Sequence, residues 1–523
     1  MSAQSKCVEE PRNRQWMTLV LLLLFGLSLR LIFYSGFFGS DEVTYTERAV
    51  AWLLGDRSIP EYVGANRLGI TLPVAAIMSV FGRSEFTANL WSLSCALGEL
   101  LLVWLIGMRL GGRSLAIAAT LLLALTPLHV HYSGRLHADT PVSFFMTLSA
   151  AAVLLGRNDK LLGAMISGVA AGFVFWIKPP VVIFSFVIVI LMALKRKTTA
   201  HYLVWGAGAA LVVAMNLAMM WIYAGDPFFV LKAMSKRLDL FVDMRDLDRR
   251  PHAYPVWLLA DMRFTWLLGW FALLGMVTGC RDANLRPMAI NIMTWLIGLV
   301  LIFSLWPASL KPFDFIFKQS NYLTMFLAPA ALGGGLLISR LRPVTRIVVM
   351  TIYGIGGLFL SALLQADIQT FTANARSVPD FIKQEPDATY YVGMVGQMAV
   401  DFDNALAARD RSELTRQNVK ALVEASSATR EVKAIMVLDP ISGPHRRDPP
   451  LSEISPDMTC WKSVGSIQPS ELSTFARLAV WFVRAALKSL PVSTLRAKLD
   501  SFMLLEPASV LKLDAQCDAM RDK

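Results

Sequence analysis

Residues 84–131 read SEFTANLWSLSCALGELLLVWLIGMRLGGRSLAIAATLLLALTPLHVH. They contain two apolar runs, 84–108 and 114–131, separated by a short turn that carries Arg109 and Arg113. Each run approaches the roughly 20 residues that an α-helix needs to cross a bilayer. A basic turn between two such helices is typical of a cytoplasmic loop, because positive residues are retained on that side. The stretch therefore predicts a helical hairpin in a membrane.

The composition of the whole chain agrees with this prediction. Of 523 residues, 55% are hydrophobic and only 17% are charged, and the mean hydropathy is +0.50. A soluble protein of this length would need more charge to cover its surface. The net charge of +11 comes from residues 1–364, where basic residues can anchor loops in the cytoplasm, so it does not indicate nucleic-acid binding. Five cysteines in a chain of this length exclude a disulfide scaffold, and no C-x-x-C or Cys/His spacing suggests a structural zinc site.

Further apolar runs predict a polytopic α-helical membrane protein with about eleven transmembrane helices. The runs fall at 16–35, 84–108, 114–131, 140–156, 161–177, 179–194, 202–223, 256–279, 288–306, 320–339 and 345–364. Residues 68–81 are apolar but short and contain Pro73, so we do not count them. The first run follows a polar, basic start and is long for the core of a signal peptide, which predicts a retained first helix.

Basic residues at alternate connections predict the orientation. They place the N-terminus in the cytoplasm and everything after Leu364 outside it. Residues 1–364 would then form the transmembrane catalytic domain, with two long external loops at 36–83 and 225–255 that are rich in carboxylates. Loops of this length are usually functional. We therefore expect any chemistry at the external face.

Residues 365–523 have the composition of a soluble domain. Short strands at 388–395, 432–438 and 461–467, with a helical stretch near 411–428, predict a small extracytoplasmic α/β domain. Residues 473–490 predict an amphipathic helix that either lies flat on the bilayer surface or packs against this domain.

Two cysteines fall in the part of the chain predicted to be external. Cys460 and Cys517 could form a disulfide there, although spacing alone does not decide pairing.

Four groups of ionisable residues lie near the predicted external ends of spans, where a charge needs a partner or a function. They are Asp41 and Glu42; His129, His131, Arg135, His137 and Asp139; Lys178; and Lys311, Asp314 and Lys318, which precede Asn321 and Tyr322.

The acidic pair has two interpretations. Adjacent carboxylates repel each other, which suits one of them to accept a proton as a general base. Alternatively, Ser40 or Asp41 is the cap of a helix over 42–54.

The cationic groups also have two interpretations each. Arg135 could bind an anion and pair with Asp139, whereas the nearby histidines are either metal ligands or ordinary residues at a wet membrane end. Lys178 and Lys318 suit a phosphate as point charges, or else they are a snorkelling lysine and an interfacial anchor. Together the groups describe an external base beside several cations, which fits a lipid phosphate as substrate.

In these features the chain resembles the GT-C superfamily of membrane glycosyltransferases. It is most similar to the branch of dolichyl-phosphate-mannose protein mannosyltransferases and aminoarabinose lipid A transferases, over roughly 16–340. The resemblance is carried by Arg30, Asp41-Glu42, the run from Asn66 to Gly82, the Arg109–Arg113 turn, Ser133-Gly134-Arg135 to Asp139-x-Pro141-x-x-Phe144-Phe145, and Ile177-Lys178. Lys318-x-x-Asn321-Tyr322 departs from the Lys-x-x-Arg-Tyr pattern of the family, since Asn321 replaces the arginine.

This resemblance implies a polyprenyl-phosphate-linked sugar donor and an inverting transfer at the external face of a bacterial inner membrane. Asp41 would act on the acceptor hydroxyl, and Glu42 would position Asp41 or bind the acceptor. The donor phosphate would be bound by Arg135, Lys178, Lys318 and Tyr322, with Asp139 and Arg67 in support. The acceptor would be a lipid, a glycan or a protein. No cofactor is required on this reading, although a divalent ion could lie near the external carboxylates.

Three other classes of protein share some of these features. A transporter or flippase also needs many spans and membrane-embedded charge, but its site usually lies near mid-depth and its halves often repeat. A ligase that uses the same lipid carrier would not need Asp41-Glu42 after the first span. A non-catalytic subunit could use the acidic loops to dock partners.

Overall fold

The computed structural model describes residues 12–60, 62–243, 248–310, 313–407, 416–418, 434–441, 461–488 and 505–513. Lys311 and both cysteines of the predicted disulfide, Cys460 and Cys517, lie outside these residues, so the predictions made for them are untested.

The described chain is mainly helical. Its α-helices are α1 Arg12–Ile32, α2 Asp41–Leu53, α3 Leu68–Phe81, α4 Glu85–Ala124, α5 Pro127–Ser133, α6 Asp139–Leu155, α7 Leu162–Ile177, α8 Ser185–Leu194, α9 Thr199–Ala224, α10 Phe229–Asp243, α11 Ala253–Leu259, α12 Met262–Thr265, α13 Leu268–Arg281, α14 Arg286–Leu305, α15 Thr324–Arg340, α16 Pro343–Thr372, α17 Val378–Ile382, α18 Met394–Ala407 and α19 Thr474–Lys488. Short 3₁₀ helices occupy Val63–Asn66, Pro179–Phe184, Ser320–Leu323 and Ala375–Ser377.

Within the described ranges, six helical segments are long and apolar enough to cross a membrane. They are Asn13–Ile32, Glu85–Ala124, Thr199–Ala224, Arg286–Leu305, Ser320–Arg340 and Pro343–Thr372. Shorter apolar helical segments lie at Leu68–Phe81, Asp139–Leu155, Leu162–Ile177, Pro179–Leu194 and Leu268–Arg281. The chain is that of a multi-pass membrane protein, and the predicted number of eleven spans stays a prediction.

The predicted turn between Arg109 and Arg113 is visible as a break in α4. Gly112 has φ 76°, a left-handed conformation that L-residues with a side chain rarely adopt. The two runs predicted at 84–108 and 114–131 therefore meet at this glycine. Small residues also allow close approach elsewhere, since a Cβ on Gly168 of α7 would overlap the backbone of Trp205 in α9.

The described chain divides into two compact units. Unit 1 contains described residues within 12–34, 58–70 and 91–361, and unit 2 contains those within 35–57, 71–90 and 362–513. Unit 2 thus includes the first long loop region except 58–70, together with the end of α16 and the described residues after it. The domain boundary expected at residue 364 stays a prediction.

Unit 2 contains a five-stranded mixed sheet. The strands of the chain are β1 Pro307–Leu310, β2 Phe313–Phe315, β3 Thr389–Val392, β4 Arg416–Asn418, β5 Ala434–Leu438, β6 Trp461–Ile467 and β7 Ala508–Leu513. The sheet has the order β4-β3-β5-β7-β6, in which β3 is parallel to both β4 and β5, and β7 is antiparallel to β5 and β6. Its core includes Tyr390, Val392, Ile435, Val437 and Val510, all nearly inaccessible to solvent.

The strands predicted at 388–395, 432–438 and 461–467 correspond to β3, β5 and β6, but the first was predicted too long, because Met394 and Val395 already belong to α18. The helix predicted over 411–428 is wrong at Arg416–Asn418, because these residues pair in parallel with β3 as strand β4. The rest of that stretch lies outside the described residues. Strand β7 was not predicted from the sequence, because its six residues follow a segment without a clear hydrophobic period.

Candidate active site

Asp139 is the centre of a polar cluster in unit 1. It is the first residue of α6 and has no exposed surface. Its Oδ1 atom lies 2.8 Å from Nζ of Lys178, which follows the last residue of α7. Pro179 and Pro180 directly after Lys178 cannot continue an α-helix, so the chain turns there and the lysine stays at the helix end. The helix ends therefore create a buried ion pair.

The second oxygen of Asp139 is also bonded. Its Oδ2 accepts a hydrogen bond of 2.6 Å from Nδ2 of Asn321 and lies 3.1 Å from Nδ1 of His137. Arg67 adds a further electrostatic attraction. Asn321 stands where the family pattern has an arginine, so this chain places a neutral amide donor on the carboxylate. The cluster thus contains one carboxylate among several hydrogen-bond donors and cations.

Lys178 contacts an aromatic ring as well as the carboxylate. Its Nζ lies 3.8 Å from the centre of the Tyr322 ring, and the residue is 9% exposed. A cation over an aromatic face is attracted by the ring quadrupole. The sequence showed Lys178 without an adjacent carboxylate and left open that it snorkels. Instead, its ammonium is paired and held inward, because α6 brings Asp139 to it across 39 positions of sequence.

Lys318 lies in the segment between β2 and the 3₁₀ helix Ser320–Leu323. Its Nζ donates a hydrogen bond of 3.0 Å to the carbonyl of Phe303, and its backbone N–H donates to the carbonyl of Asp248. The rings of Tyr254 and Phe315 lie within 6 Å of the ammonium. Burial lowers the pKa of Lys318 to about 8, against the opposing attraction of Asp248. Asp314, from the same predicted group, pairs with Arg249.

Arg135 is 4% exposed, and its guanidinium lies 5.2 Å from the centre of the Tyr132 ring. Asp139 contacts Lys178, His137 and Asn321, and Arg67 attracts it electrostatically. The predicted support of Arg135 by Asp139 therefore stays a prediction.

Arg67 leads directly into α3 from the 3₁₀ helix Val63–Asn66. The buried side chain of Asn66 fixes this turn by donating to the carbonyls of Pro60, at 2.8 Å, and Tyr62, at 3.2 Å. These hydrogen bonds fix the backbone of the turn from which the side chain of Arg67 extends. Arg67 attracts Asp139 electrostatically, and its predicted supporting role stays a prediction.

Asp41 and Glu42 lie in unit 2, at the start of α2. Ser40 occupies the cap position but makes no side-chain cap hydrogen bond, and Asp41 is the first helical residue. Oδ2 of Asp41 accepts a hydrogen bond of 3.2 Å from the hydroxyl of Tyr45 one turn later. The side chain of Ser40 therefore does not cap α2. The carboxylate of Asp41 is partly exposed and lies beside the phenol of Tyr45.

Glu42 has a different environment from its neighbour. It is 2% exposed, and its Oε1 accepts hydrogen bonds from the backbone N–H groups of Phe38, Gly39 and Ser40 at 2.7, 2.6 and 3.2 Å. Gly39 has φ 81°, which allows the tight turn that presents these donors. Glu42 thus shapes the loop that leads into Asp41.

Unit 1 contains a second series of buried, hydrogen-bonded polar side chains, which the sequence revealed only in part. Arg30 of α1 bonds Nδ1 of His129, whose Nε2 lies 3.1 Å from Glu99 of α4. The other oxygen of Glu99 accepts hydrogen bonds from Ser143 and Thr147 of α6, at 2.7 and 2.9 Å. Arg30 and His129 were identified from the sequence, but Glu99 was not. A carboxylate within the apolar run 84–108 was the signal that could have revealed it.

A metal site is not evident from side-chain grouping. Over the residues that the structure describes, no three His, Cys, Asp or Glu side chains come together in a way that could hold a metal ion.

One part of the chain matches a known family model. Residues 70–222 match the family model described as dolichyl-phosphate-mannose-protein mannosyltransferase. This region contains Asp139 and Lys178 but neither Asp41 nor Lys318. No curated protein sequence matches the chain significantly.

Solved structures match over nearly the whole chain. ArnT from Cupriavidus metallidurans in the apo state is 14% identical with a TM-score of 0.56, and covers 97% of this chain and 99% of its own. The same enzyme bound to undecaprenyl phosphate is 12% identical with a TM-score of 0.57, covering 96% and 98%. The arabinofuranosyltransferase AftD from Mycobacteria is 14% identical with a TM-score of 0.53, covering 97% of this chain but 40% of its own.

These matches confirm the resemblance to the GT-C membrane glycosyltransferases. Because the sequence identities are so low, the solved structures establish only the fold of this chain. The chain therefore has a fold similar to that of ArnT.

Proposed function

We propose that this protein is an inverting glycosyltransferase that uses a polyprenyl-phosphate-linked sugar as donor. The acceptor is a hydroxyl or phosphate group of a lipid, a glycan or a protein. The observation that carries the proposal is the buried pair of Asp139 and Lys178, with Tyr322 against the lysine, within a GT-C fold. Such a cluster of donors around one carboxylate suits an anionic leaving group that needs mainly electrostatic stabilisation.

In the proposed reaction the acceptor oxygen attacks the anomeric carbon from the face opposite the lipid phosphate. The bond between the anomeric carbon and the phosphate oxygen breaks, and the phosphate leaves as an anion. Asp41 takes the proton of the acceptor as general base, for which its partly exposed carboxylate is accessible. Glu42, which is bonded to three backbone N–H groups, positions the loop rather than accepting a proton.

The cations have the complementary task. Lys178, Lys318 and Arg135 offset charge on the leaving phosphate, and the hydroxyl of Tyr322 donates to one of its oxygens. Asp139 holds Lys178 in place through the bond of 2.8 Å, and Arg67 adds positive charge nearby. A lysine whose charge is partly compensated and whose position is fixed loses little entropy when it binds a phosphate.

We further propose that the reaction takes place at the external face of a bacterial inner membrane and requires no cofactor. The basic connections that flank the spans support this orientation. A divalent ion near the external carboxylates is the alternative, and it predicts that chelation by EDTA abolishes transfer and that added Mg²⁺ or Mn²⁺ restores it. Transfer that persists through chelation would exclude that ion.

The proposed function is tested by turnover of the purified chain with undecaprenyl-phosphate-linked sugars and lipid, glycan and peptide acceptors. The expected result is release of undecaprenyl phosphate in step with glycosylated acceptor, with the anomeric configuration inverted. A product with retained configuration would contradict the mechanism. Movement of intact donor across a vesicle membrane, without transfer, would instead support a flippase.

The lowered pKa of Lys318 predicts a pH dependence of donor binding. The ammonium is charged below its pKa of about 8 and neutral above it, so the donor KM should rise as the pH increases through about 8. Lys318→Arg retains a charge at every accessible pH and should remove this rise. Exposed Lys160→Arg is the matched control and should leave the profile unchanged. The same rise in Lys318→Arg would assign the pH dependence to another group.

Removing Lys178 should weaken use of the donor. Lys178→Ala loses a charged contact worth about 1.5–3 kcal/mol, so the donor KM should rise roughly tenfold to a hundredfold. The variant also leaves Asp139 buried without its ammonium partner, which lowers thermal stability. The double variant Lys178→Ala with Asp139→Asn should restore the melting temperature but not the donor KM. Recovery of both would make Lys178 a purely structural residue.

A further inference from the structure

Helix α19, Thr474–Lys488, presents three different faces. Ala476, Ala479 and Val480 are buried, whereas Leu478 and Trp481 are 61% and 65% exposed. Phe475 and Phe482 are also about half exposed, on the same side as Leu478 at 100° per residue. Arg477 and Arg484 lie between this apolar side and the buried side, so the exposed apolar surface has a basic edge.

The buried face of α19 packs on α16. Ala476 and Val480 form a cluster with Ala366, and Leu363 packs against it. Ser473 fixes the start of α19, because its Oγ donates to Oε1 of Gln365 at 2.9 Å and accepts from the N–H of Ala476 at 3.4 Å. Ser473 also donates its backbone N–H to Gln369 at 2.8 Å. The second interpretation from sequence was packing against the α/β domain; the structure packs one face of the helix on α16 and leaves Leu478 and Trp481 exposed.

The length of α16 indicates the depth, relative to a bilayer, at which α19 packs on it. This helix is continuous from Pro343 to Thr372 and is a candidate membrane span. At 1.5 Å per residue, the apolar part from Pro343 to Leu364 is about 33 Å long, close to the hydrocarbon core of about 30 Å. Leu363, which packs against the cluster of Ala476 and Val480, lies at the end of this apolar part.

We propose that the face of α19 that presents Leu478 and Trp481 is inserted in the bilayer interface and anchors unit 2 to the membrane surface. The occupant of this face is lipid. Trp481 is of the residue type enriched at the boundary between acyl chains and headgroups. An arginine edge beside an apolar face is the pattern of interfacial helices, since the guanidinium reaches the headgroup phosphates.

The full chain in nanodiscs of phosphatidylcholine and phosphatidylglycerol, with a photoreactive group on the acyl chains, tests the proposal. Mass spectrometry of the cross-linked peptides should detect lipid adducts on Leu478 and Trp481. The exposed residues Val344, Ile347 and Ile355 of α16 serve as positive controls. Adducts on α16 without any on α19, or cross-links from α19 to a second copy of the chain, would overturn the proposal.

Paired variants separate lipid contact from protein packing. Leu478→Ser with Trp481→Ser should lower the adduct yield on α19 about fivefold or more, since it removes the largest exposed apolar groups. Its melting temperature in detergent should stay that of the wild type. Val480→Ser, in the buried face, should instead lower the melting temperature. Equal thermal destabilisation by both variants would show that the exposed face packs against protein, contrary to the proposal.

Discussion

Replacing Asp41 by Asn is expected to abolish glycosyl transfer while leaving the fold and donor binding almost unchanged. The amide has the shape of the carboxylate, and its oxygen can still accept the hydrogen bond from the hydroxyl of Tyr45. It cannot accept the proton of the acceptor at neutral pH, and general-base catalysis is worth about 10²–10⁴-fold in rate. The measurement is kcat with a polyprenyl-phosphate sugar, alongside donor affinity and melting temperature.

The same substitution separates the catalytic interpretation from the helix-cap interpretation. Asn caps a helix about as well as Asp, so a purely structural Asp41 would give a variant with nearly full activity. Asp380→Asn is a suitable control, since this carboxylate is highly exposed in the same unit and its ion pair with Lys383 is at the surface. Near-wild-type turnover of Asp41→Asn would remove it from the mechanism.

Glu42 would then be the next candidate for the base, and the structure gives a way to recognise it. Its Oε1 holds three backbone N–H groups, so Glu42→Gln retains an acceptor for them and should keep the loop in place. Glu42→Ala leaves these donors without the carboxylate and should lower both stability and kcat. A positioning role predicts substantial activity in Glu42→Gln, whereas a general base predicts none.

The apolar runs and basic turns were sufficient to predict a helical membrane fold. The reason is physical, since a bilayer requires long apolar helices and retains basic loops on one side. The break at Gly112 falls within the turn that Arg109 and Arg113 predicted. In contrast, strand β4 depends on pairing with β3, and such pairing cannot be read from three residues alone.

The candidate site was predictable only as separate groups of residues. Asp139 and Lys178 were both named from sequence, but their pairing depends on how the ends of α6 and α7 meet. The bond from Asn321 to Asp139 was not foreseeable either, because the two residues are 182 positions apart. Sequence patterns therefore identified the charged residues, and the structure supplied their partners.

A second large effect, a loss of stability, is expected from replacing Glu99 in the buried series of Arg30, His129 and Glu99. Glu99→Leu leaves the guanidinium of Arg30 buried, with 0% exposure, and without the carboxylate that compensates it through His129. Breaking one partner of a buried charged pair costs about 3–5 kcal/mol. The variant should therefore unfold at a much lower temperature in detergent. Thr147→Val, which removes one hydrogen bond to the same carboxylate, should cost only about 1 kcal/mol.

A double variant decides whether the two charges stabilise each other. Arg30→Met with Glu99→Leu removes both and leaves apolar side chains in an apolar bundle, a change that is often neutral for buried pairs. Its melting temperature should therefore lie well above that of Glu99→Leu alone, which gives a favourable coupling free energy in the double-mutant cycle. Strictly additive losses would show that Arg30 and Glu99 are stabilised by other groups. Recovery of stability without recovery of transfer would instead indicate that Glu99 also positions α6, whose first residue is Asp139, through Ser143 and Thr147.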